Sequence, residues 1–432
     1  MIPSFSFRPM IARGVALHGF FVGLLSAASL VQSSQRIALL GDSINEAGSF
    51  TPSGSLSTII SLLRNWLAVL AVVGAVTTGQ AQQGETWKTV FTKRGFCGPM
   101  EMAWAGSLDA TLRIPIEIPV DGSKVRVHLA TSHADDFTLE KMSFVKAADR
   151  DGHVEGAEYP VLFSGSAAVE IPARSAEILS DEMEIPLTKG LWILQQKYAT
   201  QKCLYAYDAD GYFSVPPEGE PQFKKHSLPG NVSQIDILSP DPRPVIVCWG
   251  DSITQGYGSS AGTDHRYPSL LGKSLNQPVV NLGVNGDQAI FSKGIPSRIT
   301  TLEGAETVIY LMGINDILTG SITTAKEYEA LVGPVLDAVK RGGRRFYLGT
   351  ILPAKGHEKF DADPAKENLR QEINAWIRDQ SGRADGVIDF DEALRDPSDP
   401  AKMKEEFQSD WLHPNDAGYR KMAEVAAKVL QN

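Results

Sequence analysis

Val245-Ile246-Val247-Cys248-Trp249-Gly250-Asp251-Ser252-Ile253-Thr254 sets an apolar run directly before a serine. The run is bounded by Pro244 and Gly250, and a short apolar segment between turn-forming residues reads as a buried strand. A serine just past such a strand can be held rigidly, with its hydroxyl in a crevice and its own backbone N–H aimed at the same point. An alcohol is a weak nucleophile until a base takes its proton and fixed dipoles meet the charge it creates, so this placement suits covalent catalysis. Alone, Gly250-Asp251-Ser252 reads rather as an ordinary polar turn after a strand.

Three downstream stretches decide between the two. Asn281-Leu282-Gly283-Val284-Asn285-Gly286-Asp287 follows the apolar Val279-Val280, and Gly313-Ile314-Asn315-Asp316 follows Val308-Ile309-Tyr310-Leu311-Met312. Asp410-Trp411-Leu412-His413-Pro414-Asn415-Asp416-Ala417-Gly418-Tyr419 opens a helix near the C-terminus. In an open parallel sheet, loops that leave the carboxyl ends of successive strands converge on one crevice. A serine, a glycine amide, an asparagine side chain and a histidine are therefore expected to meet there.

These four stretches, in this order, resemble the SGNH (GDSL) hydrolase family over Pro244 to Asn432. The resemblance implies Ser252 as nucleophile, with His413 as base and Asp410 as the carboxylate that orients it. It also implies an oxyanion hole built from the Ser252 N–H, the Gly286 N–H and the Asn315 amide. Asn285 stands where many members carry serine, a departure that leaves Gly286 in place. The spacing supports the pair independently. Asp410 precedes His413 by three residues, so a tight turn lets the carboxylate accept the imidazole Nδ1–H while Nε2 faces Ser252. Pro414 makes Asn415 or Asp416, rather than Asp410, the expected cap of the following helix.

A chain of 432 residues with 43% hydrophobic and 21% charged residues is expected to form two or three globular domains. Its net charge of −10 argues against nucleic acid or an anionic membrane as partner, since both attract basic surfaces. The three cysteines, Cys97, Cys203 and Cys248, contain no Cys-x-x-Cys pair and support no thiolate zinc site. Cys248 reads as a small buried hydrophobe, and Cys97 with Cys203 is a candidate disulfide in an exported protein. The chemistry requires neither metal nor organic cofactor.

Residues 1–83 read as a leader or anchor rather than mature fold. Gly14 to Val31 is one apolar run; Trp66 to Val76 is a second, followed by Gly79-Gln80-Ala81, a small-residue cleavage pattern before Gln82. Either translation starts downstream of Met1 or the first run exports or anchors the chain. Secretion or periplasmic export is expected, with a membrane anchor as the alternative if the first run is retained. Arg36 to Ile44 repeats the opening pattern around Ser43, but only one set of glycine, asparagine and histidine motifs follows, so Ser43 is not expected to act.

Residues 84–240 change to short alternating segments, among them Thr111 to Ile118, Lys124 to Leu129, Ala168 to Ile171, Met183 to Leu187 and Leu191 to Leu194. Many short strands between turns read as a jelly-roll-like β-sandwich. This half resembles, by pattern, the N-terminal domain of secreted two-domain SGNH hydrolases. Its aromatics, including Trp192, Tyr198, Tyr212 and Phe213, suit a core more than a sugar platform. Asp208-Ala209-Asp210-Gly211 lacks the full calcium-loop spacing and reads as a turn. Ser239 to Pro244 is a stiff linker.

From 244 to 432, strand and helix alternate, which implies a parallel sheet covered on both faces: a three-layer α/β/α sandwich of SGNH, flavodoxin-like type. Gly258-Ser259-Ser260-Ala261-Gly262 fits a nucleophile elbow, but no strand precedes it, so Ser260 is read as part of a flexible rim. The expected function is a serine esterase acting through a Ser-His-Asp triad on a small acyl ester or acylated polysaccharide, acetyl first. A lipase-like or aryl esterase, and a non-catalytic carbohydrate-binding protein, are the alternatives.

Overall fold

The computed structural model describes residues 84–92, 102–105, 110–130, 136–175, 177–199, 202–207, 210–225, 227–229 and 231–431. The expected leader with Ser43, Cys97 of the candidate Cys97–Cys203 disulfide, and Asp208-Ala209 lie outside these residues.

Before residue 240 the strands are antiparallel. Thr111–Ile118 buries Leu112, Ile114, Ile116 and Ile118 and leaves the alternate positions half-buried, the two-residue period of a strand with one covered face. Lys124–Leu129 does the same with Val125, Val127 and Leu129. The two strands belong to different sheets, and their apolar faces join Phe144, Leu194, Ile235 and Ile237 in one core. This is the expected β-sandwich. Trp192, Tyr198 and Tyr212 are buried in that core. Met183 to Leu187 departs from expectation, forming only isolated bridges. Pro186 has no N–H to give a ladder, and the N–H groups of Ile185 and Leu187 turn back to the carbonyls of Met183 and Ile185.

The second half carries a five-stranded parallel sheet: β1 (Val245–Gly250), β2 (Val279–Gly283), β3 (Ala305–Leu311), β4 (Arg345–Gly349) and β5 (Gly386–Ile388), in the order β2-β1-β3-β4-β5. All of β1 is buried, as a strand covered on both faces must be. Each of its valines and isoleucines contributes about 1.5–3 kcal/mol by leaving water. Six helices matter to the site: α1 (Ser252–Gln255), α2 (Tyr267–Leu275), α3 (Ile314–Thr319), α4 (Ala325–Arg341), α5 (Ala365–Asp379) and α6 (Asp416–Gln431). α6 packs on α2, and α5 on α4, completing the three-layer α/β/α arrangement. The apolar runs predict strands over Arg345 to Leu352 and Gly386 to Phe390, and β4 and β5 end earlier; Asp389 caps a new helical turn by accepting the Glu392 N–H, which takes Phe390 out of β5. Cys248 is free and buried, and burial pushes its thiol up to about 12. Among the described residues no helix is long and apolar enough to cross a membrane.

Sandwich and sheet meet across a buried polar network. Asp236 is fully buried and accepts from Thr89 Oγ1 at 2.7 Å, Gln234 Nε2 at 2.9 Å, Arg126 Nε at 3.0 Å and His128 Nε2 at 2.8 Å. Arg126 reaches on to Glu303, whose N–H donates to Thr89 Oγ1, and Gln234 donates to the Thr301 carbonyl. Burial opposes charge on His128, but its bonds to Asp236 and Glu177 outweigh it and raise the imidazolium to about 9.

A histidine raised in the fold stabilises fully below its unfolded value of about 6.5, and that contribution is lost as pH rises through about 9. Wild-type Tm should therefore fall between pH 7 and 9.5. His128→Gln should lower stability at pH 7 by about 1.5–3 kcal/mol and flatten the Tm profile over that range, read by calorimetry.

Candidate active site

Strand order places β2 and β3 on either side of β1, so the loops after these three strands are neighbours at the carboxyl edge of the sheet. Ser252 is the first residue of α1, directly beyond β1, and is 4% exposed. Asp251 caps α1 by accepting the Ile253 N–H at 2.9 Å. Gly250 cannot carry a side chain, since a Cβ there would stand 2.0 Å from Thr254 Oγ1 and 2.5 Å from the Leu311 carbonyl.

His413 sits in the turn before α6. The Ser409 N–H donates to the His413 carbonyl, and Trp411 takes a left-handed φ of 65°, which makes the turn tight enough to fold Asp410 back on His413. Asp410 Oδ1 accepts the N–H groups of Leu412 and His413 at 3.0 and 2.8 Å, and Oδ2 lies 2.8 Å from His413 Nδ1. Burial would push the Asp410 carboxyl up, but the His413 ring and these backbone N–H groups hold it down, to about 2. An ionised carboxylate only accepts, so Nδ1 carries a proton, and in the neutral imidazole Nε2 then has the lone pair. Ser252 Oγ lies 2.9 Å from that Nε2. The structure thus brings Ser252, His413 and Asp410 into one hydrogen-bonded chain across 161 residues of sequence.

Gly286 lies in the loop after β2 with φ 75°, and nothing stands within 4 Å of where its Cβ would be, so the space on that side of it is open. The Val284 N–H donates to the Gly250 carbonyl at 3.1 Å, tying this loop to the end of β1. Asn315 Nδ2 donates to the Asp287 carbonyl at 3.0 Å, tying the β3 loop to the same segment. Asn415 Oδ1 accepts the Ala417 and Gly418 N–H groups, so Asn415 caps α6 and Asp410 is free for His413.

Sequence reasoning gave no role to two residues that shape this edge. Asp316 is fully buried and accepts the Ala289 and Ile290 N–H groups at 2.8 and 3.2 Å, holding the chain that follows the Gly286 loop. Tyr257 packs its ring 4.4 Å from the His413 ring. The glycine pattern carried a signal for the second: Gly258 has φ 91°, and a Cβ there would stand 2.5 Å from Ser409 Oγ and 2.6 Å from the Pro414 carbonyl. The rim that contains Ser260 is tied rather than loose, since the Ser260 N–H donates to Asp416 Oδ1 at 2.7 Å. Behind it lies a cavity of about 300 Å³ lined from both halves of the chain, by Glu117, Arg150 and Lys189 of the sandwich and by Gln255, Asp264 and Asn285.

Residues 248–421 match the GDSL-like Lipase/Acylhydrolase family. That segment belongs to the family. The GDSL-like segment makes the protein a carboxylic ester hydrolase. Similar solved structures include a carbohydrate acetylesterase family member from Sinorhizobium meliloti, with 20% identity over 44% of this chain and 97% of that one and a TM-score of 0.37. Two others are the M. smegmatis aryl esterase, at 16% identity over 44% and 98% with a TM-score of 0.37, and a GDSL-like lipase from Bacteroides thetaiotaomicron, at 16% over 44% and 88% with the same score. No curated protein matches the chain.

Gly258→Ala should destabilise the GDSL-like fold by about 1–3 kcal/mol, because it adds both a strained left-handed residue and an overlap with the histidine turn. Thermal unfolding beside Gly294→Ala, a position with nothing within 4 Å of the added carbon, separates this from a general effect of the substitution.

Proposed function

We propose that the protein is a serine esterase that removes small acyl groups, acetyl foremost, from carbohydrate through an acyl-enzyme. The observation that carries this reading is the 2.9 Å contact between Ser252 Oγ and the lone-pair nitrogen of an imidazole whose other nitrogen is held by Asp410. Ser252 Oγ attacks the ester carbonyl as His413 Nε2 takes its proton, and the carbonyl π electrons move onto oxygen. The Ser252 and Gly286 N–H groups and the Asn315 amide meet that negative oxygen. The tetrahedral intermediate collapses with His413 giving its proton to the departing alcohol. Water then attacks the acyl-enzyme by the same route and releases the acid. Asp410 keeps the imidazole in the required tautomer throughout.

The carbohydrate part of this reading is supported by the expected export and by the resemblance of residues 84–240 to the N-terminal domain of secreted two-domain SGNH hydrolases. Export belongs to the same reading and rests on the sequence before Gln82, which mass spectrometry of the mature N-terminus checks. A second reading, an aryl esterase, is favoured by Phe291, which is 63% exposed on the turn following the Gly286 loop.

A fluorophosphonate should label wild-type protein at Ser252 and leave Ser252→Ala unlabelled. Ser252→Ala should abolish turnover, and Asn315→Ala should lower kcat by about 10²–10³, the cost of one oxyanion donor. On nitrophenyl esters the acetyl should be hydrolysed faster than the octanoyl or palmitoyl, and acetylated sugars should be deacetylated. A preference for palmitoyl overturns the small-acyl reading, and a preference for aromatic acyl groups favours the second.

A further inference from the structure

We infer that Asp210, a residue of the β-sandwich half, is a positioning residue for the hydrolase centre, acting through the rim loop Gly256–Arg266. The inference rests on the reading of Ser252 and His413 given above.

The rim loop has little regular structure to hold it. Gly256, Gly258 and Gly262 have φ of 104°, 91° and 80°, and Asp264 has φ 56°, so four of its residues lie in the left-handed region. Such a segment is ordered by what its N–H groups find, because no ladder is available. The Gly256 and Tyr257 N–H groups donate to the Ser252 carbonyl and the Ser259 N–H to the Gly256 carbonyl; farther along, two carboxylates supply acceptors. Asp416, in the first turn of α6, accepts the Ser260 N–H at 2.7 Å and lies 2.9 Å from His265 Nδ1. The other is Asp210. Its Oδ1 accepts the Gly262 N–H at 2.8 Å and the Asp264 N–H at 3.2 Å, and its own carbonyl lies 3.1 Å from the Gly262 nitrogen. The loop lies flat on the sandwich there: a Cβ on Gly262 would stand 3.2 Å from the Phe223 ring, which in turn packs 5.2 Å from Phe213.

What the loop carries at its other end is Tyr257, with its ring 4.4 Å from the His413 ring, and Gly258, pressed against Ser409 and Pro414. The Tyr257 carbonyl accepts the Tyr419 hydroxyl at 2.6 Å. The imidazole is therefore flanked on one side by a ring whose position depends on anchors several residues along the chain, and one of those anchors belongs to the other half of the protein. Without the Asp210 carboxylate the Asp264 N–H loses this acceptor and the Gly262 N–H keeps only the carbonyl of residue 210, the loop shifts, and Tyr257 no longer fixes the ring that must face Ser252 Oγ. Misplacement of this kind is felt in rate long before it is felt in folding. The Asp210 side chain is 20% exposed and also lies 3.9 Å from Arg266 Nη2, so the Tm of its variants is measured beside their rates.

The test compares wild type, Asp210→Ala and Asp210→Asn as full-length proteins, by the rate at which a fluorophosphonate labels Ser252, by kcat/KM on nitrophenyl acetate, and by Tm. Asp210→Ala should lower both rates roughly tenfold while Tm stays within a few degrees. Asp210→Asn keeps a carbonyl oxygen as acceptor and should stay within about twofold of wild type. Tyr257→Ala combined with Asp210→Ala should cost less than the product of the single effects, because both act through one loop. Unchanged rates in Asp210→Ala, equal losses in the Ala and Asn variants, multiplicative losses in the double variant, or a rate loss that follows the folded fraction each overturn the inference. A wild type that does not label at Ser252 is a different failure: it removes the site reading itself, and the inference with it.

Discussion

Two glycines at the ends of adjacent strands set how closely the rest of the site can be built. Gly250 of β1 and Gly283 of β2 are paired in register, and α1 lies directly across them. A Cβ on Gly283 would stand 2.1 Å from the Gln255 nitrogen, and one on Gly250 would overlap Thr254. Asn281 completes the seam, donating to the Thr254 carbonyl and accepting the Gly283 N–H, both at 2.8 Å. Without side chains at these two points α1 is pressed onto the strand ends. The hydroxyl at its first residue is then fixed relative to the loops of β2 and β3. Larger residues would lift α1 off the sheet and move Ser252 by more than a hydrogen bond tolerates.

Much of this was legible in the sequence because it depends on local chemistry. A short apolar run ending in glycine marks a strand end, and three such runs followed by a His-containing turn mark one edge of a parallel sheet. Helices α4 and α5 follow from amphipathic periodicity, and α4 is closed at its start by a Thr324–Glu327 capping box. The carboxylate partner of His413 follows from a spacing of three. What the sequence hid is non-local. Tyr257 meets His413 across 156 residues of chain, Asp316 serves a different loop from its own, and nothing near Asp236 signals that four donors on three strands, its own among them, converge on it. The strand expected at Met183 to Leu187 failed for the opposite reason, a local one: Pro186 removes a donor that alternation alone does not reveal.

The junction of the two halves is polar where a domain core would be apolar. Asp236 is buried with its lone pairs filled by Thr89, Gln234, Arg126 and His128, and Arg126 passes the contact on to Glu303. Leaving one member unpaired costs more than a surface pair would, since the remaining charge stays out of water. Such a network favours one relative placement of sandwich and sheet, because its donors and acceptors match in a single register. A greasy interface of the same area would slide.

The loops that form the site share one device. Beyond the strand ends no ladder accepts their N–H groups, and in each loop an aspartate does so instead: Asp251 for Ile253, Asp316 for Ala289 and Ile290, Asp410 for Leu412 and His413, Asp416 for Ser260, Asp210 for Gly262 and Asp264. A carboxylate is suited to this, having two oxygens, no proton to misplace and a bond to N–H strengthened by its charge. At Asp410 and Asp416 it also ties loop order to pH in a definite direction. Burial opposes ionisation of Asp410 and Asp416, yet their histidine partners and bound N–H groups win, holding Asp410 at about 2 and Asp416 below the usual carboxylate range. Groups lowered in the fold stabilise it above the ordinary carboxylate range and stop doing so only as pH falls toward those depressed values. Two of the five anchors therefore persist well into acid, and both bear on the histidine end of the site: one orients its ring, and the other holds the rim packed against it.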